Sequence, residues 1–121
     1  WDKLDKVVFN LLSNAFKFTP EDGTIQIKLK KDVPIFKSLW EEELVIEIID
    51  NGKGISPKHI KHIFDRFYQV DQARSKGKNN NGVGLGLAVA KKIIDQHGGR
   101  IEVRSSLKQG STFAVILPIA A

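Results

Sequence analysis

The spacing of apolar side chains switches from a helical to a strand period and back along 121 residues, and that order is what most limits the fold. Leu4, Val7, Val8, Leu11, Leu12, Ala15 and Phe18 recur at three- and four-residue intervals, predicting a helix over 2–18 with Asp2 as its cap and Thr19-Pro20 as its end. Gly23 marks a turn, after which Ile25, Ile27 and Leu29 alternate with Gln26, Lys28 and Lys30 as in a half-buried strand. A more continuously apolar strand follows at 44–49. The stretch 31–43 between them, with Pro34 and three consecutive Glu, reads as a connection longer than a hairpin needs, with no assignable role. Ser56-Pro57 starts a short helix to about Phe67, and a long helix runs from about Gly84 to His97, closed by Gly98-Gly99. Strands at 101–103 and 112–117, joined around Gln109-Gly110, complete the chain. Helix, strand, strand, helix, helix, strand, strand predicts an α+β, two-layer sandwich: a mixed sheet with its helices packed on one face.

At this length the chain is one domain, 1–121, and its 41% hydrophobic and 27% charged residues are those of an ordinary globular protein. No apolar run approaches the ~20 residues of a membrane helix. The first residue is Trp, which suggests a piece of something longer. With no Cys there are no disulfides or thiolate metal sites. The net charge of +5 is spread along the chain without a row of aromatics for stacking, so nucleic acid is not an expected partner.

Four islands carry the chemistry. Asn10, Asn14 and Lys17 fall within about 60° of one another around the first helix, beside its apolar stripe. Asn is a mediocre helix former, so two at a burial boundary need a reason. Either they cap backbone groups of a neighbouring loop, or an amide oxygen ligates magnesium while the lysine reaches a phosphate. Asp50 ends the second strand and is followed by Asn51-Gly52-Lys53-Gly54-Ile55. Such an acid in a cleft is an acceptor for an adenine amine, although Asp-Asn-Gly is also a strong hairpin signal and this window alone favours the turn.

Gly82-Val-Gly84-Leu85-Gly86 opens the long helix, where backbone N–H groups and the helix dipole favour phosphate. Tight helix packing is the competing account, strongest for Gly86. The preceding loop, with Arg74, Lys76, Lys78 and Asn79 to Asn81, has the composition of a lid over an anion. Phe64 and Phe67 are expected to anchor its base in the core, with Arg66 between them directed at a terminal phosphate. His59 and His62 read as a solvated face and His97 as part of a helix's last turn. There is no phosphate-cradling G-x-x-x-x-G-K-[ST] loop. With no Cys, no Gly-x-Ser-x-Gly elbow and no histidine that reads as a nucleophile, the pocket is expected to present ATP to an acceptor carried elsewhere.

Together these residues resemble the catalytic ATP-binding domain of sensor histidine kinases, in the GHKL class with gyrase, the Hsp90 chaperones and MutL. Asn10-Leu-Leu-Ser-Asn14-Ala-Phe-Lys17-Phe-Thr is similar to the asparagine box and Asp50-Asn-Gly-Lys-Gly54-Ile to the first glycine box. Phe64-Asp-Arg-Phe67 is similar to the phenylalanine box, Gly82-Val-Gly-Leu-Gly-Leu to the second glycine box, and His97 through Pro118 to the closing strands. The resemblance implies the Bergerat ATP-binding fold, with ATP and Mg2+ under a lid. It makes Asn14 the magnesium ligand, Asp50 the adenine acceptor, Lys17 and Arg66 phosphate contacts, Phe18 and Ile55 the lining of the base, and Thr112 a helper from the last strand. It also implies a phosphoacceptor histidine on a separate helical dimerisation domain, a downstream response-regulator receiver domain, and a homodimeric, membrane-anchored parent with this domain in the cytoplasm. The family's domain usually has an edge strand before the first helix; that strand and the dimerisation domain are expected to be missing here. A serine kinase of the anti-sigma type, an ATPase clamp and a non-catalytic scaffold are the competing functions.

Overall fold

A computed structural model describes residues 3–32, 42–68 and 86–119. Helix α1 (Leu4–Phe18) forms where the apolar spacing predicts it and buries Val7, Leu11 and Ala15. Its N-cap is Lys3, at φ 69° and without a side-chain capping bond. Asp2, the expected cap, lies outside the described residues. Extended Thr19 ends the helix, as the residue before a proline is biased to do.

Strands β1 (Ile25–Asp32) and β2 (Glu42–Asp50) pair antiparallel, with Ile25 opposite Asp50 and Asp32 opposite Glu43. Strands β3 (Arg100–Ser106) and β4 (Gly110–Ile119) form the second antiparallel pair, and β4 lies against β2, giving the order β1-β2-β4-β3. The two-layer α+β architecture is the expected one. The expectation of a mixed sheet is corrected: every described pairing is antiparallel. The helical crossover does return β3 in the direction of β2. The following hairpin then folds β4 into the gap between them, so the two parallel strands never become neighbours.

Alternation sorts the strand residues onto two faces. Ile46 and Ile48 of β2 and Phe113, Val115 and Leu117 of β4 pack with α1 and the later helix in one core. Full burial of Leu11, Ile48 and Phe113 contributes roughly 1.5–3 kcal/mol each. On the other face Val45, Ala114 and Ile116 form a second apolar cluster. Around it Arg100 reaches Glu43 at 3.1 Å, while Arg104 and Lys30 reach Glu47 at 3.4 and 3.7 Å. Bonds to Glu102 and Glu43 raise the Arg100 guanidinium above its ordinary value. Phe9 and Phe16 on α1, and Ile27 and Leu29 on β1, are more than half exposed.

The expected helix to Phe67 is shorter than predicted. Helix α2 covers only Pro57–Ile60, and the backbone then closes three-residue turns, His62 to His59, Asp65 to His62 and Tyr68 to Asp65. Ser56 contributes its carbonyl to His59 and Ile60 rather than a side-chain cap. Helix α3 (Gly86–Gln96) ends as Gly98-Gly99 predicts. Gly98 has φ 75°, its N–H bonds Asp95 O and that of Gly99 bonds Ile94 O, the paired bonds of a Schellman motif. His97 sits in this cap with Nδ1 2.7 Å from Ile93 O, so the ring is fixed by backbone. The predicted start of the helix at Gly84 lies outside the described residues.

Candidate functional site

The first island proves to be a bridge between two elements. Asn10 donates its side-chain amide to Gly86 O, the first residue of α3, at 3.1 Å. One function of this asparagine is therefore the backbone-capping role weighed for it. A Cβ on Gly86 would stand 3.8 Å from Asn10 Cγ, an ordinary contact, so packing against α1 does not by itself demand glycine there. Asn14, one turn on, is half-buried on the same strip, and among the described residues its side chain has no hydrogen-bond partner. Lys17 is exposed at the end of the strip.

The C-terminal end of α1 docks on the loop after β2. Phe18 O accepts the Lys53 N–H at 3.3 Å, and a Cβ on Gly52 would fall 2.2 Å from that carbonyl oxygen. The strip thus runs from the start of α3 at Asn10 to this loop at Phe18, about 12 Å along the helix. The Phe18 ring lies beneath two cations, with Lys53 Nζ at 4.7 Å and Lys17 Nζ at 5.5 Å from its centroid.

Asp50 is the last residue of β2 and only 6% exposed. Its Oδ1 accepts the Gly52 N–H at 2.9 Å, and among the described residues Oδ2 accepts no bond. This disposes of the hairpin reading: β2 pairs with β1 and β4, and the chain after Asp-Asn-Gly leads toward α2 instead of returning along β2. Asn51 exchanges bonds with Thr24, its Oδ1 accepting the Thr24 N–H at 2.8 Å. Ile55 is buried beyond the loop, joined to the core. Gly54 has φ 76°, and a Cβ there would meet Ser106 O at 2.0 Å.

Thr112 requires a correction. It stands opposite Ile49 and Arg104, on the sheet face turned away from the helices. Ser111 stands opposite Asp50 and Ser105 and shares their face. Because successive strand residues alternate, the expected helper is displaced by one position, and Ser111 is the residue on the acid's side. Counting back from buried Phe113 by two in the sequence is the signal that finds it.

The phenylalanine pair divides. Phe64 meets Phe113 edge-on at 6.4 Å and anchors in the core as expected. Phe67 does not: it is 63% exposed at φ 67°. The helix ends at Ile60, so three-residue spacing no longer places the two rings on one side. Arg66 is exposed over the Phe67 ring at 5.9 Å, and lines an open groove with Ala88, Lys91, Lys92 and Asp95 of α3. Among the described residues, none of the other expected site residues borders that groove. His59 bonds Tyr68 and His62 bonds Asp65, so this face is internally paired. Gly82, Gly84, Leu85 and the expected lid from Arg74 to Asn81 lie outside the described residues.

The described residues supply a buried acid with one oxygen unbonded among them, and an asparagine strip that joins the start of α3 to the loop after that acid. These groups suit a flat base at one end and anionic groups at the other. Comparison with known proteins shows the family. The family model of histidine kinase-, DNA gyrase B- and HSP90-like ATPases matches residues 1–121. Sensor protein SrrB of Staphylococcus aureus is 43% identical over 117 residues, 97% of this chain and 18% of that protein. This chain therefore spans less than a fifth of that relative. Among solved structures, a mycobacterial sensor histidine kinase, MprB, superposes with a TM-score of 0.70 at 31% identity, covering 93% of this chain and 68% of that one. The catalytic domain of histidine kinase ThkA gives 0.71 at 27%, covering 96% and 66%. Full-length ShkA in complex with AMPPNP gives 0.69 at 27%, covering 98% and 22%. The chain belongs to the histidine kinase-, DNA gyrase B- and HSP90-like ATPase family, and its relatives there are the catalytic domains of sensor histidine kinases.

Proposed function

We propose that this domain binds ATP with magnesium and presents the γ-phosphate to a histidine on a separate helical dimerisation domain of the same parent protein, for onward transfer to a response-regulator receiver domain. The observation that carries this reading is Asp50, buried at the end of β2 with one oxygen held by Gly52 and the other unbonded among the described residues. In this reading the adenine amine donates to Oδ2, with Phe18, Gly52, Gly54 and Ile55 around the base and Ser111 beside the acid. The triphosphate runs along Asn10, Asn14 and Lys17 toward the start of α3, with Gly82, Gly84, Leu85 and Gly86 cradling it. Arg66 contributes from the phenylalanine box.

Among the described residues no cluster of three or more His, Cys, Asp or Glu side chains is present to cage a metal. One neutral oxygen from Asn14 fits magnesium, which keeps waters and takes further ligands from phosphates. The protein's share of phosphoryl transfer is then positioning and charge neutralisation, and the nucleophile is the partner domain's imidazole.

Thermal unfolding with and without ADP and magnesium tests the proposal, because a ligand that binds only the folded state raises the midpoint. ADP is expected to raise it, and magnesium to raise it further in the wild type but not in Asn14→Ala. No shift at ADP concentrations far above the usual micromolar range would reject nucleotide binding, and a wild-type magnesium increment in Asn14→Ala would reject its role.

A further inference from the structure

The loop bearing Asp50 leans on the β3–β4 hairpin, and one hydroxyl joins them. Ser105 Oγ accepts the Ile55 N–H at 2.7 Å, donates to Gly110 O at 2.8 Å and lies 2.8 Å from Ser111 Oγ. A hydroxyl has one proton to give and two lone pairs, so these three contacts saturate it when Ser111 is the donor of the shared bond. Two further contacts clamp the same surfaces. The Lys108 N–H bonds Lys53 O at 2.7 Å, and Gly110 approaches Asp50 so closely that a Cβ there would sit 2.0 Å from Asp50 O. The backbone on both sides of the acid is thus fixed by the hairpin, and the Ser105 side chain binds loop and hairpin together.

From this geometry we infer that Ser105 is a positioning residue for base recognition, acting through the Ile55 and Gly110 backbone to aim the Asp50 carboxylate. The inference rests on the proposed role of Asp50 as adenine acceptor. Ser105 itself touches no part of the nucleotide. Its effect is confined to the base end, since the Asn10–Lys17 strip makes no bond to it.

Nucleotide discrimination tests the idea without relying on stability. ADP and inosine diphosphate differ at the base edge, where inosine carries a carbonyl in place of the amine that Asp50 would accept. Their dissociation constants are measured by calorimetry, well below the unfolding midpoint, for the wild-type chain, Ser105→Ala, Ser105→Thr and Asp50→Asn. The wild type is expected to prefer ADP. Ser105→Ala should narrow that preference by about tenfold, the worth of one well-made hydrogen bond, and Ser105→Thr should restore it. If Ser105→Ala does not fold, Ser105→Cys is read in the same way. A wild-type preference retained in Ser105→Ala, or equal losses for both nucleotides, with Asp50→Asn abolishing the preference, overturns the positioning role and leaves the acceptor reading standing. A preference unchanged in Asp50→Asn overturns both.

Discussion

The groups around Asp50 are held by backbone, whereas the two basic residues proposed for the phosphates, Lys17 and Arg66, are long side chains in solvent. Asp50 is buried within a net of short bonds from Gly52, Lys108 and Ser105 and two close glycine approaches. Lys17 and Arg66 are exposed, each with its cation over an aromatic ring. A buried acceptor reads a flat base by position, and that demands a rigid frame. A phosphate tail is served by charge, which acts at longer range and tolerates movement. The two sets of groups should therefore answer mutation differently.

The largest effect is expected where the frame is tightest. Gly54→Ala places a Cβ 2.0 Å from Ser106 O at φ 76°, so the loop and hairpin must separate. A loss of about 3 kcal/mol in urea unfolding is expected, from strain together with overpacking. A loss below about 0.5 kcal/mol, the range of ordinary surface changes, would show that the frame is not rigid. Lys17→Ala sits at the other extreme of the comparison. It should leave stability within about 0.5 kcal/mol and weaken ADP a few-fold, an effect that shrinks as salt rises. A salt-independent loss would mean that Lys17 works by packing.

Phe67→Gly has the opposite sign. A non-glycine residue in the left-handed region costs about 1–2 kcal/mol, partly offset by the extra chain entropy of glycine. A stabilisation of up to about 1 kcal/mol is expected in the same urea measurement, since the exposed ring buries little. Destabilisation would show that the ring has a packing role.

Much of the fold, and the place of Asp50 in it, was legible from residues alone. The apolar period fixes α1 to within a residue or two, Gly98-Gly99 closes α3 as its left-handed glycine requires, and Asp50 is placed at the end of β2. Three things were not. The insertion of β4 between β2 and β3 depends on long-range pairing that no local pattern encodes. The early end of α2 reflects turn-type bonds that helical spacing does not foresee. The placement of Ser111 rather than Thr112 beside Asp50, and the role proposed for Ser105, depend on strand register and on a loop contact fifty residues away in sequence. Small hydroxyl residues in an alternating strand carry no signal of such a role until the opposing loop is known.

Calorimetric titration of Asp50→Asn with ADP is the most direct test of the central claim, that a buried carboxylate at the end of β2 receives the adenine amine. Asparagine keeps the shape while its amide removes the charge, so the folded midpoint should change little and ADP affinity should fall by about 10- to 100-fold, the range for a hydrogen bond to a charged group. Unchanged affinity in a folded Asp50→Asn protein would contradict the account.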